Sequence, residues 1–315
     1  MSRRILSWLC CALALLALSG CGRGAEAEGA EGVSVVTTGF AAYDFARQLL
    51  GERGEAELLI PPGSETHSFE PTPKDIIDIQ NCDLFIYTGG ESEAWVADVL
   101  GSVGDGVRAV TLMDCVELLE EETVEGMEDP HAGHDHGHGA EYDEHVWTSP
   151  RNAALICGKI AAALSEADPQ GAESYAAALE DYCAQLDELD AAFTEVVESG
   201  ARRTVVFADR FPLLYFARAY GLEYFAAYPG CSDDAEPSAA TVAFLIDKVR
   251  EEDIPVVFHI ELSNELMADT VCDETGAEKR LFSACHNVTR AQFDSGVTYM
   301  ELMWANVDAL REALS

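Results

Sequence analysis

DLFIYTGG, residues 83–90, is the stretch on which the fold turns. Leu84, Phe85, Ile86 and Tyr87 are apolar at consecutive positions, not alternate ones. A strand of that kind is covered on both faces and belongs inside a sheet packed on both sides. Upstream, VSVVTT (33–38) reads as a strand, 41–51 as a helix, and AELLIPP (56–62) as a strand ended by prolines. PTPKDIIDIQ (71–80) reads as a helix whose prolines suit the first turn and whose apolar face is Ile76, Ile77 and Ile79. Downstream come a helix near 92–101 and a strand near 107–113. Strands alternating with helices imply a parallel sheet.

Residues 116–144 break the rhythm with a run of acids and then histidines, and read as an exposed loop. After Pro150 the pattern is helical for nearly fifty residues, interrupted only at Asp168-Pro169-Gln170-Gly171. Its second part, 172–198, places Tyr175, Leu179, Tyr182, Leu186, Leu189 and Phe193 at helical spacing and spans about 40 Å. The alternation then restarts. RTVVFA (203–208), LEYFAAY (222–228), IPVVFHIE (254–261) and EKRLFSA (278–284) read as strands. FPLLYFARAY, PSAATVAFLIDKVREED and LSNELMADTVCDETG read as the helices between them, and 293–314 as a closing helix. The expected fold is α/β: two (β/α) lobes with mainly parallel sheets, joined by one long rigid helix. The N-terminal lobe is 33–168, the connecting helix 169–199 and the C-terminal lobe 200–315.

Residues 1–20 stand apart. Arg3 and Arg4 precede an apolar run from Ile5 to Leu18, and Leu18-Ser19-Gly20-Cys21 follows. About 14 apolar residues fall short of the ~20 of a membrane span. The pattern is a secretory signal with a lipobox, in which the Cys21 thiol takes a lipid. Residues 21–32 then read as a flexible tether, and the expected location is outside the cytoplasm, anchored to the outer face of the cell membrane. The net charge of −38 excludes nucleic acid as a partner. Seven cysteines follow Cys21, with no CxxC and irregular spacing, so neither a disulfide scaffold nor a structural zinc site is expected. One bridge, Cys231 to Cys285, is possible.

Four candidate metal donors fall just past predicted strands: His67, His145, Asp209 and His286. Open α/β sheets bind ligands at the carboxyl ends of their strands. Two donors belong to each half, so together they would enclose one ion between the lobes. Three His and a carboxylate suit tetrahedral Zn²⁺, whereas Mn²⁺ prefers more oxygen. His259 alternates with Phe258 and Ile260 and reads as packed within the sheet. Glu261 reads as a partner of a ligand or of an arginine. No HExxH, GxSxG or paired-carboxylate motif appears, which disfavours a metal-dependent hydrolase or any other enzyme.

PPGSETHSFEPTPKDI (61–76), DEHVWTSPRNA (143–153), YFARAYGL (215–222), AEPSA (235–239) and TYMELMWANVDALREAL (298–314) carry a resemblance that covers essentially the whole mature chain. The sequence resembles the cluster A-I substrate-binding lipoproteins of zinc and manganese ABC importers. That resemblance implies a metal receptor that serves the transmembrane subunits of a permease as a monomer. His67 and His145 fall on the first two ligand histidines of that family. The third position departs from it: Arg210 stands where the family has His or Glu, and a guanidinium has no lone pair to give. Asp209 is then the neighbouring candidate, and Arg210 a partner for Glu261 or another carboxylate near the site. At the fourth position, in SACHNV, His286 is the nearest donor. A histidine-rich loop like the one holding His131, His134, His136 and His138 marks the zinc-type members and favours Zn²⁺ over Mn²⁺. Those four read as a weaker, accessory metal site, because ordering a loop costs about 1–2 kcal/mol per residue. A manganese receptor of the same family, or a metal-storage or adhesin lipoprotein, is the alternative.

Overall fold

The computed structural model describes residues 32–65, 68–103, 106–127, 141–231 and 237–315. The chain from Val33 to Ser315 forms one compact unit. In chain order its elements begin with β1 (Val33–Thr37), α1 (Phe40–Leu50), β2 (Gly54–Leu58), α2 (Pro73–Asn81), β3 (Leu84–Tyr87), α3 (Trp95–Val103) and β4 (Ala109–Thr111). Two helices follow, α4 (Pro150–Ala167) and α5 (Ala172–Ser199). The second series is β5 (Thr204–Phe211), α6 (Leu214–Tyr220), β6 (Glu223–Pro229), α7 (Ala239–Glu251), β7 (Val256–His259), α8 (Leu266–Thr275) and β8 (Glu278–Leu281). It closes with α9 (Arg290–Asp294) and α10 (Tyr299–Leu314).

The two sheets are parallel throughout and wound alike, in the orders β2-β1-β3-β4 and β6-β5-β7-β8. β3 is an interior strand, as its unbroken apolar run requires. Its two faces go to different cores. Leu84 and Ile86 join a large core shared by both sheets, while Phe85 packs outward with Val36, Ile79 and Val96. The second sheet divides the same way, with Val205, Phe207 and Phe258 inward and Val206 and Val257 outward. The shared core is threaded by α5, whose Tyr175, Tyr182, Leu186, Leu189 and Phe193 are all buried. One apolar mass thus runs from the first lobe into the second. Among the described residues no helix is long and apolar enough to cross a membrane.

Several elements differ from expectation. α2 starts at Pro73 because Thr72 and Asp75 form a reciprocal capping box. The closing helix is two helices. Gly296 takes a left-handed backbone (φ 78°) between them, and the second restarts on its own capping box of Thr298 and Glu301. Buried Asp44 of α1 adds an acceptor for the Tyr299 N–H at 2.7 Å. β5 runs three residues past Ala208, so Asp209 and Arg210 lie within the strand, beside a register shift, and not just beyond it. The segment 116–127 is not a free loop. Val116, Leu118, Leu119, Val124 and Met127 pack against the core. Its acids reach the second lobe: Glu122 accepts from Arg218 and from the Tyr224 hydroxyl, and Glu121 from the Cys231 N–H. Cys231 and Cys285 are both free thiols, and no disulfide joins them.

Candidate metal centre

His145 is wholly buried at the head of a helical turn, Val146–Thr148, that leads into α4. Two residues earlier, buried Asp143 accepts twice on one oxygen: from the His145 backbone N–H at 2.8 Å and from ring Nδ1 at 3.0 Å. A ring whose Nδ1 proton goes to a carboxylate carries its lone pair on Nε2, the tautomer a metal needs. The second lobe steadies this arrangement. Tyr215 donates its hydroxyl to the Asp143 carbonyl (2.9 Å), and the Trp147 indole donates to the Ala284 carbonyl (2.8 Å). Gly230, just past β6, approaches so closely that an added Cβ would lie 3.0 Å from the His145 ring.

His286 arrives from the opposite side, five residues after β8. Its ring centroid lies 4.4 Å from that of His145, with the planes at 78°. Glu261 organises the turn that carries it, accepting the His286 N–H at 2.8 Å and the Ala284 N–H at 2.7 Å, one on each oxygen. The ring Nδ1 lies 3.5 Å from the same carboxylate. Between those two N–H groups, Cys285 is buried with φ 58°, a left-handed conformation that side chains avoid. The His286 carbonyl accepts from Phe40 N–H at 3.1 Å, which pins the turn to the start of α1.

The electrostatics suit a cation. Burial, and then the neighbouring His145, hold the His286 imidazole below its ordinary value, against the opposite pull of Glu261. Burial works against the Glu261 carboxylate, yet its bonds from His286 and Ala284 outweigh this and hold it below the ordinary range. A neutral imidazole backed by an ionised carboxylate is the arrangement that orients metal-binding histidines. The residues therefore fit a borderline-soft ion such as Zn²⁺.

Other predicted donors sit as follows. Asp209 is buried, with one oxygen on the Arg210 N–H (2.8 Å) and the other on the Ile260 N–H (3.1 Å). Burial pushes its carboxyl up, against those bonds and one from Ser263. Arg210 pairs with Glu65 at 3.4 Å. His259 is half-buried at the end of β7, its Nδ1 3.1 Å from the Ile260 carbonyl. His67, the loop histidines His131, His134, His136 and His138, and Cys21 lie outside the described residues. Among the described residues no group of three or more His, Cys, Asp or Glu is placed to hold a metal ion. Asp143 and Asn287 were not singled out from sequence. The signal for Asp143 was present, as a carboxylate two residues before a histidine.

Two like-wound lobes presenting imidazoles to each other define a binding protein for a small cation, of the solute-receptor class. The family described as zinc-uptake complex component A, periplasmic, matches residues 35–313, and the chain belongs to it. It is 32% identical over 311 residues to the high-affinity zinc uptake system protein ZnuA of Bacillus subtilis (strain 168), covering 96% of this chain and 95% of that one. It is 31% identical over 310 residues to the zinc-binding lipoprotein AdcA of Streptococcus pneumoniae (strain ATCC BAA-255 / R6), and spans 60% of that longer relative. Among solved structures, the Zn(II)-bound ZnuA-like domain of Streptococcus pneumoniae AdcA superposes with a TM-score of 0.74 at 28% identity, covering 90% of this chain and 99% of that one.

Proposed function

We infer that this protein is an extracytoplasmic zinc receptor, not an enzyme. It takes Zn²⁺ between its lobes and passes it to the transmembrane subunits of an ABC permease. The observation that carries this reading is the pair His145–His286, one imidazole from each lobe at 4.4 Å, each backed by a buried carboxylate. His67 supplies a third nitrogen. Cys21 carries a lipid that holds the receptor, as a monomer, at the outer face of the membrane. His131, His134, His136 and His138 add weak capture sites that raise the local supply of ion without forming the tight site.

Burial and the neighbouring His145 hold the His286 ring neutral, so capture there needs no proton transfer above the imidazole range. Each ion that binds displaces water and not protons. Titration calorimetry on the intact chain and on one lacking residues 128–139 tests the reading. One tight equivalent is expected in both, with the weaker equivalents lost on deletion. A tight step that disappears with the loop would make the loop the receptor.

A further inference from the structure

Among the described residues β2 is an edge strand, with β1 on one side and no strand on the other. Its register shows which backbone groups face outward. The Leu59 N–H goes to the Thr37 carbonyl (2.8 Å) and the Glu57 carbonyl accepts the Thr37 hydroxyl (3.2 Å), so Glu55, Glu57 and Leu59 address β1. Alternate residues face the other way, and Ala56 and Leu58 direct their N–H and C=O groups at the open edge. A groove of about 700 Å³ runs along that edge, within the size range of a ligand site.

The two walls of the groove differ. On the α1 side Tyr43 and Phe293 stand with ring centroids 5.3 Å apart, next to Ala56, which packs against the shared core. On the α2 side stand Asp78 and the exposed side chains of Glu55 and Glu57. Lys74 of α2 lies 3.7 Å from Glu57 and also pairs with Asp78. One lysine against three carboxylates leaves that wall acidic. Arg290, at the rim, is paired with its own Asp294 at 3.2 Å. The other edges are short or engaged. β4 has three residues, β8 has Lys279 and Arg280 tied to carboxylates, and Tyr224 of β6 and Cys231 just past it bond to the 116–127 segment.

We propose that the open edge of β2 accepts an added strand from a partner protein, an extended segment that alternates apolar and basic side chains. A chain laid along β2 bonds to the outward groups of Ala56 and Leu58, and its side chains fall alternately on the two walls. Apolar residues then meet Tyr43 and Phe293, and cations meet Glu55, Glu57 and Asp78. A second copy of this chain fits poorly. Pairing β2 with β2 would set Glu55 and Glu57 against the same residues of the other copy, and opposed like charges destabilise a sheet.

The probe is a fluorescent, end-capped nine-residue peptide of alternating Val and Lys, read by anisotropy. Its control is the blocked isomer, all Val and then all Lys, which has the same charge. The alternating peptide should bind at least about 10-fold more tightly than the blocked one. Ala56→Pro removes an outward N–H and leaves the bonds to β1, as proline on an edge strand does, and should abolish that preference. Glu55→Lys/Glu57→Lys changes two exposed side chains and should shift the preference to an alternating Val–Glu peptide. Retention of the tight zinc step shows that each variant is folded; if Ala56→Pro is not, the charge reversal decides alone. Equal binding of the two isomers would mean that charge attracts the peptide without strand addition. Full binding by folded Ala56→Pro, or no reversal in the double variant, overturns the proposal. So would self-association of the parent chain in sedimentation that Ala56→Pro removes, since the occupant would then be a second copy.

Discussion

The two lobes share a winding and differ in how they hold a histidine. In the first lobe the support is local. Asp143 grips both the backbone and the ring of His145 from two residues away. In the second lobe the support is distant. His286 depends on Glu261, 25 residues back in the chain, and on Asn306, which brackets Ser283 through its N–H (2.8 Å) and carbonyl (2.7 Å). Each lobe also carries a cost near its histidine, in a different form. The first buries Glu93 near Glu144, a neighbour of His145. The second places Leu262 and Cys285 in left-handed backbone on either side of the Glu261–His286 contact. One scaffold thus reaches the same imidazole presentation through electrostatic cost on one side and backbone cost on the other.

The largest effects should come from the imidazoles. His145→Ala and His286→Ala should each weaken zinc by more than the ~10–100-fold of an outer-shell change, with the fold retained, as read by chelator competition and circular dichroism. Equal losses would confirm that both lobes contribute a ligand, whereas full affinity in one variant would confine the site to the other lobe. Zinc affinity should fall with acidification through the imidazole range. For His286 the fall should begin below ~6.5, because burial and His145 hold its proton affinity down.

Next come the supports. Asp143→Asn and Glu261→Gln should each cost about 10–100-fold in zinc affinity. Only Glu261→Gln should also lower the stability of the metal-free protein appreciably, by about 1–3 kcal/mol, since its amide nitrogen would face an N–H donor. Urea unfolding of the two variants measures the difference. Equal stability losses would erase the distinction between local and distant support.

Glu93 tests the electrostatic side. Burial pushes its carboxyl up to about 7, against the bond from the Gly89 N–H. Between roughly pH 4.5 and 7 the folded protein keeps a proton that the unfolded chain has released, so stability from this group declines as pH rises across that window. Above it the full penalty is present. Glu93→Gln should therefore stabilise the metal-free protein by about 1–3 kcal/mol at pH 8 and change little near pH 4.5. An equal effect at both pH values would mean that packing, not ionisation, is responsible.

The same asymmetry explains what was legible in the sequence. DLFIYTGG marks an interior strand by composition alone, and strand–helix alternation carried both sheets. DEHVWTSP holds a histidine, its carboxylate partner and the start of a helix within eight residues, so one stretch of chain contains the carboxylate that orients His145. Nothing adjacent to His286 names Glu261 as its partner or Asn306 as the clamp on Ser283, because those contacts form only after the second sheet and α10 are packed. Asp209 read as lying just past a strand because RTVVFA seemed to end it. Pairing with β6 resumes at Arg210 and Phe211, and the carboxylate is drawn onto the backbone. The segment 116–127 hid its packing for a related reason: its apolar residues are spaced irregularly among acids, and Glu121 and Glu122 find their partners on the second lobe.

The smallest effect tests the backbone side. Leu262 has φ 61°, follows Glu261 directly and is 45% exposed. A left-handed conformation costs an ordinary residue about 1–2 kcal/mol, and Asn tolerates it through local hydrogen bonding. Glycine would relieve the strain as well, but would return about 0.5–1 kcal/mol through the entropy of its unfolded chain. Leu262→Asn gives up little burial, because nearly half of the side chain is already in water. The expected outcome is a gain of about 0.5 kcal/mol in metal-free stability, seen as a higher urea midpoint at unchanged slope. Cys285 offers no such clean test: its side chain is fully buried, so any substitution there mixes strain relief with a cavity. If Leu262→Asn lowers the midpoint, the turn after Glu261 is not strained at that residue. The backbone cost beside the Glu261–His286 contact would then rest on Cys285, inside the core and next to the histidine it carries.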